Sequence, residues 1–335
     1  VGSEMCIRDR INIMAMTPRE RVTAAMNKEN LDRPPAAIFT QSATIGQMDA
    51  TGAAWPEAHK NAEIMAKLAA AQADVFGFEC CRTSFCLTAE AERLGCTVAV
   101  DKKDAAPMIK NHPFKFDCME GVYDDPAAMM PIDEFLQGGR VAEVIKSCEL
   151  LKKSHGENYC IVAGTTGPFT LAGHMVSTEN LIFGMMMAPE EVDKWVAATA
   201  PICKAYAQTL IDNGADILNM SFGAKTAYYP TALANAIRDA RRQNVLALCA
   251  GGNTDDMLYR ETYEGFYPAD LAGAYPVLGG DYSLATNDYY SFKHKQGDRN
   301  GIDYVGHTGR ALFTTDRGGG YTTCLLYTSP SPRDM

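Results

Sequence analysis

A cysteine at the end of an apolar run is the first residue of this sequence whose type and position could do chemistry. The run is "NVLALCAGGNT", residues 244–254, in which Cys249 is followed by a glycine pair and by Asn253. A thiolate is a nucleophile and a ligand for soft metal ions, whereas a thiol buried on an apolar strand packs like a small hydrophobic side chain. The residues alone leave three roles open for Cys249: metal ligand, nucleophile or core residue.

A second group of candidate residues lies at the apolar segment "VFGFECC" and just beyond it. Glu79 is a candidate catalytic residue there, and together with Cys81 and Cys86 it could form a metal cluster. Adjacent residues of a strand point to opposite faces, so Cys80 and Cys81 cannot both face one site. Packing is the alternative interpretation of these cysteines.

The loop "GTTGPFT" is a third candidate, because small and hydroxyl-bearing residues follow a predicted strand. Its glycines let the backbone approach a ligand closely, and its hydroxyls offer hydrogen bonds. The alternative is a tight turn held by Pro168. The residues that we predict to line a pocket here are Gly164, Thr165, Thr166, Gly167 and Thr170.

Four further side chains near these segments are titratable. His174 follows the third predicted strand and is a candidate proton donor or cofactor contact, with a buried structural histidine as the alternative. His59 lies between charged neighbours, which indicates a solvated position. Glu90 and Glu92 are two residues apart on a predicted helix, so they do not share a face and make a poor acid–base pair.

The elements that must position these residues alternate between helices and strands. Thr17, Pro18 and Glu20 have the spacing of a capping box with proline at the first helical position, which predicts a helix of about ten residues. The segments "CTVAVD" and "PMIKNHPF" indicate a hairpin insertion. The remaining order of strands, helices and short connections indicates a parallel sheet.

The choice of fold is between an open doubly wound sheet and a closed barrel. No G-x-G-x-x-G or G-x-x-x-x-G-K-[ST] turn occurs, so the sequence lacks the turns that identify the two commonest nucleotide-binding open sheets. Residues 16–320 suffice for a (β/α)₈ TIM barrel of about 250 residues. In such a barrel the chemistry lies where strands end, which adds Asn219 of "ADILNMSF" to the candidates.

Composition limits the classes of partner and compartment. The net charge of -10 gives no basic field for nucleic acid, and no apolar run approaches the roughly 20 residues that cross a bilayer. The eleven cysteines are scattered and odd in number, which indicates a reducing cytoplasm rather than a disulfide framework. We therefore expect a cytoplasmic protein without nucleic-acid or membrane partners.

The two ends of the chain differ from its body. "VGSEMCIRDR" and "CLLYTSPSPRDM" resemble translated adapter sequence, and such segments are excluded from reasoning about the fold. The expected organisation is a non-native tail over residues 1–13, a single TIM-barrel domain over 14–320 that is truncated or divergent toward its C-terminal end, and a second tail over 321–335.

Four segments together carry a family resemblance. They are "MTPRERVTAAMNKENLDRPP", "GAAWPEAHKNAEIMAKLAA", "GFECCRTSFCLTAEAE" and "GTTGPFTLAGHMVSTENL". In this order they resemble the uroporphyrinogen decarboxylase superfamily, within it the methylcobamide:coenzyme M methyltransferase branch, from about residue 16 to 220. The decarboxylase itself carries an arginine-rich segment after its first strand, whereas "FTQSATIGQMDATGAAWPEAH" contains no Arg or Lys. The methyltransferase side is therefore favoured, and a (β/α)₈ barrel is implied.

The resemblance also implies a reaction and a site. A methylcobamide (corrinoid) carried by a small corrinoid protein would donate its methyl group to a small thiol that zinc holds as thiolate. The family site is a His-x-Cys pair followed by Gly-Asn-Thr, with a second cysteine later. Cys249 falls on the family cysteine as the metal ligand, and Asn253 falls in the turn. A homodimer is implied by the same analogy, and the resemblance of "WPEAH" gives His59 a role at the barrel mouth as the alternative to a solvated position.

One departure from the family pattern leaves alternatives open. Ala247 occupies the histidine position, and the only later cysteine is Cys324 in the adapter-like tail. Three explanations are open: residues 225–320 contain frameshifts, the protein is a non-zinc relative, or other cysteines substitute. The alternative functions are a metal-independent decarboxylase-like enzyme acting on another small acid, which arginines at the barrel mouth would support, and a catalytically impaired corrinoid-binding relative.

Overall fold

The computed structural model describes the greater part of the chain. The described residues are 15–27, 29–37, 43–220, 224–225, 231–250, 266–267, 271–272, 274–280, 304–307, 312–315 and 321–324. The helices are α1 Pro18–Met26, α2 Ile45–Thr51, α3 Ala62–Asp74, α4 Ala89–Arg93, α5 Ile132–Leu136, α6 Gly139–His155, α7 Pro168–Val176, α8 Thr178–Met187, α9 Pro189–Asp212 and α10 Thr231–Arg242, with 3₁₀ turns at Glu57–His59 and Pro126–Ala128.

The strands are short and lie between these helices. In chain order they are β1 Cys80–Arg82, β2 Thr97–Ala99, β3 Met108–Asn111, β4 Phe116–Asp117, β5 Val122–Tyr123, β6 Cys160–Gly164, β7 Ile217–Met220, β8 Ala224–Lys225, β9 Leu246–Ala250, β10 Phe266–Tyr267, β11 Ala274–Gly280, β12 Tyr304–His307, β13 Leu312–Thr315 and β14 Tyr321–Cys324.

Helix α1 begins with the predicted capping box. The Thr17 hydroxyl accepts the N–H of Glu20 at 3.2 Å, and the Glu20 carboxylate accepts the N–H of Thr17 at 2.8 Å. Pro18 occupies the first turn, where its missing N–H costs no helical hydrogen bond. The predicted helix start is confirmed, and the helix has nine residues.

The main sheet decides between the two predicted architectures. Its order is β1-β6-β7-β9-β11-β12, and every neighbouring pair is parallel. Strand order therefore follows chain order without the reversal that defines a doubly wound sheet. A parallel sheet whose neighbours follow the chain, with helices between them, is the wall of a (β/α) barrel.

The two faces of this sheet pack against different partners. On what we call the inner face, strand residues cluster with Val22 and Met26 of α1; these strand residues are Cys80, Cys160, Val162, Ile217, Leu246 and Leu248. On the helix face, the alternate residues pack against the surrounding helices; they are Cys81, Ile161, Ala163, Leu218, Ala247 and Cys249. The predicted division of Cys80 and Cys81 between opposite faces is confirmed.

The predicted hairpin insertion is also present. Strands β2 and β3 pair antiparallel between α4 and α5, and β4 and β5 form a second small antiparallel pair in the same stretch. The apolar segment "AAIF", residues 36–39, whose pattern predicts a short buried strand, lies partly outside the described residues. Ala36 is described, and it exchanges two hydrogen bonds with Glu79: its N–H donates to the Glu79 carboxylate, and its carbonyl accepts the Glu79 N–H.

The amino edge of the sheet, where the strands begin, is held by buried ion pairs. Glu79 directly precedes β1, its side chain is 2% exposed, and it pairs with Arg21 and with Arg33. Arg21 also binds Asp32 through its Nε at 2.6 Å. These contacts join α1 to β1 and to the segment between α1 and α2.

A second ionic contact at the amino edge ties α1 to β7. Arg19 donates to both carboxylate oxygens of Asp216, at 2.6 and 2.8 Å, and Lys152 of α6 reaches the same carboxylate at 3.0 Å. Planar guanidinium and carboxylate groups match each other in this two-bond geometry. Asp216 also accepts the N–H of Ile161, so this side chain links four elements.

Within the described ranges, no helix combines the length and apolarity needed to cross a membrane.

The ion pairs of Glu79 make a stability prediction with a matched control. We expect Glu79→Gln to lower the free energy of unfolding by about 3 kcal/mol, because buried Arg21 then loses a charged partner. Glu63 also carries an ion pair, with Lys146, but both side chains are more than half exposed. We expect Glu63→Gln to leave stability nearly unchanged. Urea unfolding of both variants checks this, and equal losses would contradict the structural role of Glu79.

Candidate functional site

Topology brings four separate segments to the carboxyl edge of the sheet, where the strands end. The segments that follow β1 and β6 lie there directly. A helix that precedes a parallel strand runs antiparallel to it, so the starts of α3 and α6 lie at the same edge. The carboxyl edge therefore combines residues 83–88, residues 165–167, the segment before α3 and the first turn of α6.

A buried cation occupies the inner face at this edge. Arg82 ends β1 on the same face as Cys80 and is 2% exposed. A Cβ added to Gly164 would lie 2.7 Å from Arg82 Nη2, so the absence of a side chain at Gly164 makes room for the guanidinium. Burial lowers the pKa of Arg82 to about 10, which keeps it charged at neutral pH. Asn219 is the register partner of Gly164 on β7.

The predicted threonine loop binds a carboxylate of the chain itself. Glu90 of α4 accepts the N–H of Thr166 at 3.0 Å, the Thr166 hydroxyl at 3.3 Å and the Thr165 hydroxyl at 3.3 Å. Burial raises the pKa of Glu90, and these hydrogen bonds partly oppose that effect. The loop is thus held in place by Glu90. Gly167 is the N-cap of α7, and Thr170 lies inside that helix, partly buried.

Arg140 of α6 organises a second network at the same edge. Its Nη1 donates to Cys86 Sγ at 3.0 Å, its Nη2 donates to the Thr88 hydroxyl at 2.9 Å, and its Nε donates to Glu92. Arg140 and Cys86 are both buried. Glu90 and Glu92 therefore belong to separate networks, in agreement with the prediction that they do not act as a pair.

His59 was predicted to be solvated, and that prediction is wrong. Its side chain is 2% exposed, and its ring lies 4.7 Å from the ring of Trp55, centroid to centroid. Burial, together with the positive charges of Arg140 and Lys60, lowers the pKa of His59 to about 3. The imidazole is therefore neutral at pH 7. Within the described part of the chain, His59 Nε2 and Trp55 Nε1 are buried without a hydrogen-bond partner.

The structure does not bring the two candidate catalytic residues to the carboxyl edge. Strand β1 begins at Cys80, one residue after Glu79, so Glu79 lies at the amino edge in its ion pairs. His174 lies in the last turn of α7, where its carbonyl accepts hydrogen bonds from His112 and Cys96. Burial lowers the pKa of His174 to about 4. A catalytic role for either residue stays a prediction that the geometry does not favour.

Cys249 lies on the helix face rather than the inner face. It is 1% exposed and packs with Ala234 and Ile237 of α10, beside Ala247. Among the residues that the structure describes, no group of three His, Cys, Asp or Glu side chains could hold a metal ion. Asn253 lies outside the described residues. The described surroundings of Cys249 therefore do not fit a three-ligand zinc site.

Comparison with known proteins places the chain in a family. Residues 17–227 match the family described as uroporphyrinogen decarboxylase (URO-D). The chain belongs to the uroporphyrinogen decarboxylase family. The matched residues include all four segments of the carboxyl edge and end before Cys249.

Its relatives lie on the methyltransferase side of the family. The chain is 34% identical over 260 residues to the methylcobamide:CoM methyltransferase MtbA of Methanosarcina mazei, covering 72% of each protein. It is 31% identical over 202 residues to MtaA of Methanosarcina barkeri, covering 60% of this chain and 57% of that one.

A solved structure of a methyltransferase from Methanosarcina mazei matches with a TM-score of 0.61 and 26% identity, over 79% of this chain and 83% of that one. The predicted resemblance, the TIM-barrel fold and the class, a methyltransferase of this superfamily, are confirmed.

Glu90 gives a prediction about pH. A folded-state pKa above the ordinary 4.5 means that Glu90 holds its proton more tightly in the folded than in the unfolded state. The contribution of Glu90 to stability is therefore fully present below pH 4.5 and is lost as the pH rises through the folded-state pKa. Glu90→Gln keeps an acceptor for the threonine loop without this loss. We expect its unfolding free energy, relative to wild type, to increase as pH rises above about 4.5 in denaturant titrations.

Glu63→Gln is the control for this experiment. The hydrogen bond from Lys146 lowers the pKa of Glu63, so removing this carboxylate has the opposite sign of pH dependence. Parallel stability curves for wild type and Glu90→Gln would contradict the raised pKa of Glu90.

The position of Cys249 gives a prediction about metal. We expect neither the chain as it stands nor Ala247→His to hold one zinc per chain, because position 247 faces the apolar cluster around α10. The histidine should also lower the melting temperature, since it places a polar ring among buried apolar groups. Elemental analysis and thermal unfolding check both statements. Stoichiometric zinc in either form would show that Cys249 belongs to a metal site.

Proposed function

We propose that the chain transfers a methyl group from a methylcobamide, carried by a small corrinoid protein, to a small thiol. The thiolate sulfur attacks the methyl carbon, the carbon–cobalt bond breaks, and cobalt keeps the electron pair, so Co(III) becomes Co(I) and the thiol becomes a thioether. The observation that carries the proposal is the 34% identity over 260 residues to a protein named methylcobamide:CoM methyltransferase.

The carboxyl edge contains buried positive charges that suit a reaction of a thiolate. A thiol becomes reactive when nearby positive charge favours its thiolate form. Arg82 on the inner face and Arg140 at the start of α6 are buried cations at this edge. Gly164 makes room for the Arg82 guanidinium, and the Glu90 network holds the loop that follows Gly164. These groups would orient an acceptor and exclude water.

Zinc has no assigned role in this proposal. In the family resemblance, zinc would supply the Lewis acid that holds the acceptor as thiolate. The described residues near Cys249 do not fit that ion, so no step of the proposed reaction passes through it. Activation of the thiol is assigned to the buried arginines instead. The corrinoid protein, the cytoplasmic location and the homodimer remain parts of the proposal.

One observation favours a second function. Two buried arginines at the carboxyl edge are what a metal-independent, decarboxylase-like enzyme acting on a small acid would use. The segment 43–59 contains no Arg or Lys, so a tetrapyrrole with many carboxylates would find no row of cations there. The second function is therefore limited to small acids, and release of carbon dioxide would identify it.

The proposed reaction predicts thiol-dependent loss of the methyl group from methylcobalamin. Under anaerobic conditions we expect the purified chain to convert methylcobalamin to cob(I)alamin, with one methylated thiol formed per cobalamin reduced. Visible absorbance and mass spectrometry of the thioether check this. We expect Arg82→Met to lower kcat/KM at least about tenfold, and Arg82→Lys to lower it less, because lysine keeps the charge.

Arg238→Met is the control, since Arg238 is exposed on α10 and its Nη1 bonds only Asn235 among the described contacts. Methylcobalamin that binds without turnover would indicate the impaired relative. No binding and no turnover would contradict the proposed function.

A further inference from the structure

Two ring nitrogens at the carboxyl edge are buried without partners inside the described structure. They are Trp55 Nε1 and His59 Nε2, on rings whose centroids are 4.7 Å apart. A buried polar atom without a hydrogen bond is unfavourable, because it has lost its bonds to water and gained none in the protein. Most buried polar groups in folded proteins are hydrogen-bonded, so two such atoms on adjacent rings indicate a partner that these residues do not supply.

The charge around these rings selects the kind of partner. Arg140 and Lys60 are the two charged residues that act on His59, and both are positive. His59 is neutral at pH 7, so it adds no charge of its own. An indole N–H donates and cannot accept. The partner must therefore accept the N–H of Trp55, and the nearby positive charges favour a negatively charged acceptor. A negatively charged oxygen atom meets both conditions.

Arg140 has donors left for such a group. Its bonds to Cys86, Thr88 and Glu92 use three of the five N–H donors of a guanidinium. Phe85, from the loop after β1, lies 6.5 Å from Trp55 by ring centroids and adds an apolar wall. Trp55 as a whole is only partly buried, although its Nε1 is covered. The surroundings therefore combine a cation, neutral donors and an aromatic wall.

We propose that Trp55 and His59, backed by Arg140, bind a compact oxyanion, the sulfonate or carboxylate head group of the methyl acceptor. Only the identity of the molecule that bears the oxyanion depends on the proposed function. The Trp55 N–H donates to one oxygen, His59 Nε2 carries the proton in the tautomer that donates to another, and Arg140 supplies the positive potential. Both polar atoms are then satisfied.

The first test uses fluorescence and needs no catalysis. The chain has two tryptophans, so Trp195→Phe leaves Trp55 as the sole indole reporter. We expect sodium ethanesulfonate to change its emission saturably, whereas sodium chloride at equal ionic strength does not. Inorganic sulfate is the second arm: comparable binding of sulfate would identify a site for free anions and overturn the assignment to an acceptor head group. No saturable change with ethanesulfonate would overturn the site altogether.

The second test removes the proposed donor and compares it with a matched one. Within the described residues, Trp195 Nε1 is also buried without a partner, but the ring contact of Trp195 is with Phe114, 5.0 Å away by ring centroids, whereas that of Trp55 is with His59. Trp55→Phe and Trp195→Phe thus each remove one unpartnered indole N–H and keep a ring. By calorimetry we expect ethanesulfonate to bind Trp55→Phe at least tenfold more weakly and Trp195→Phe within twofold of wild type. Equal effects would overturn the proposal.

The third test separates this inference from the proposed function. With mercaptoethanesulfonate as acceptor, we expect Trp55→Phe to raise KM at least tenfold with a smaller effect on kcat. With mercaptoethanol, which lacks the anionic group, we expect little change between wild type and variant.

Methyl transfer with equal KM for both proteins would overturn the oxyanion site and leave the proposed function standing. Tryptophan-dependent binding of ethanesulfonate without any methyl transfer would leave the site standing and remove the proposed function.

Discussion

Parallel pairing of strands in chain order is the constraint on which the rest of this structure depends. Each hydrogen-bonded neighbour must run in the same direction, so every strand begins at one edge and ends at the other. The two edges then take different roles. The amino edge is closed by fully paired charges, such as Glu79 with Arg21 and Asp216 with Arg19. The carboxyl edge keeps polar atoms of Trp55 and His59 for which the described residues supply no partner. The stabilising ion pairs and the proposed binding site thus lie at opposite ends of the same strands.

Two titratable groups, Glu90 and Arg140, are buried at the carboxyl edge, and each has a network of hydrogen bonds to specific partners. Glu90 accepts three hydrogen bonds from the loop after β6, and Arg140 donates to a thiol, a hydroxyl and a carboxylate. An ionised group taken out of water without such partners would cost several kcal/mol. The networks also link segments that are far apart in the chain, since α4 and α6 contribute to one of them and α4 and the β6 loop to the other. The loops of the edge are therefore held by hydrogen bonds to Glu90 and Arg140 rather than by regular secondary structure.

Local sequence patterns predicted the local features well. The capping box at Thr17, the hairpin insertion, the parallel sheet and the opposite faces of Cys80 and Cys81 all follow from rules that involve a few neighbouring residues. The errors and omissions share one cause, which is contact between distant segments. His59 has charged neighbours in the chain, yet its ring is covered by Trp55 and lies close to Arg140, about eighty residues further on. Glu90 and Arg82 gave no sequence signal beyond a charge beside apolar residues. The groups that donate to Glu90 come from the β6 loop, and the space for the Arg82 guanidinium comes from Gly164 of β6. The apolar pattern predicts a strand over the whole of "VFGFECC", with Glu79 near its end. Strand β1 begins only at Cys80, and Glu79 therefore precedes it at the amino edge.

The close approach of Arg82 to Gly164 also has a consequence for how this sequence can change. A Cβ at position 164 would lie 2.7 Å from Arg82 Nη2, so a larger residue there requires the end of this long, buried side chain to shift. Once a shorter residue replaces the arginine, alanine or serine at 164 meets no such contact, and return of the arginine then requires the guanidinium to take another position. The two positions are therefore expected to vary together among relatives rather than independently.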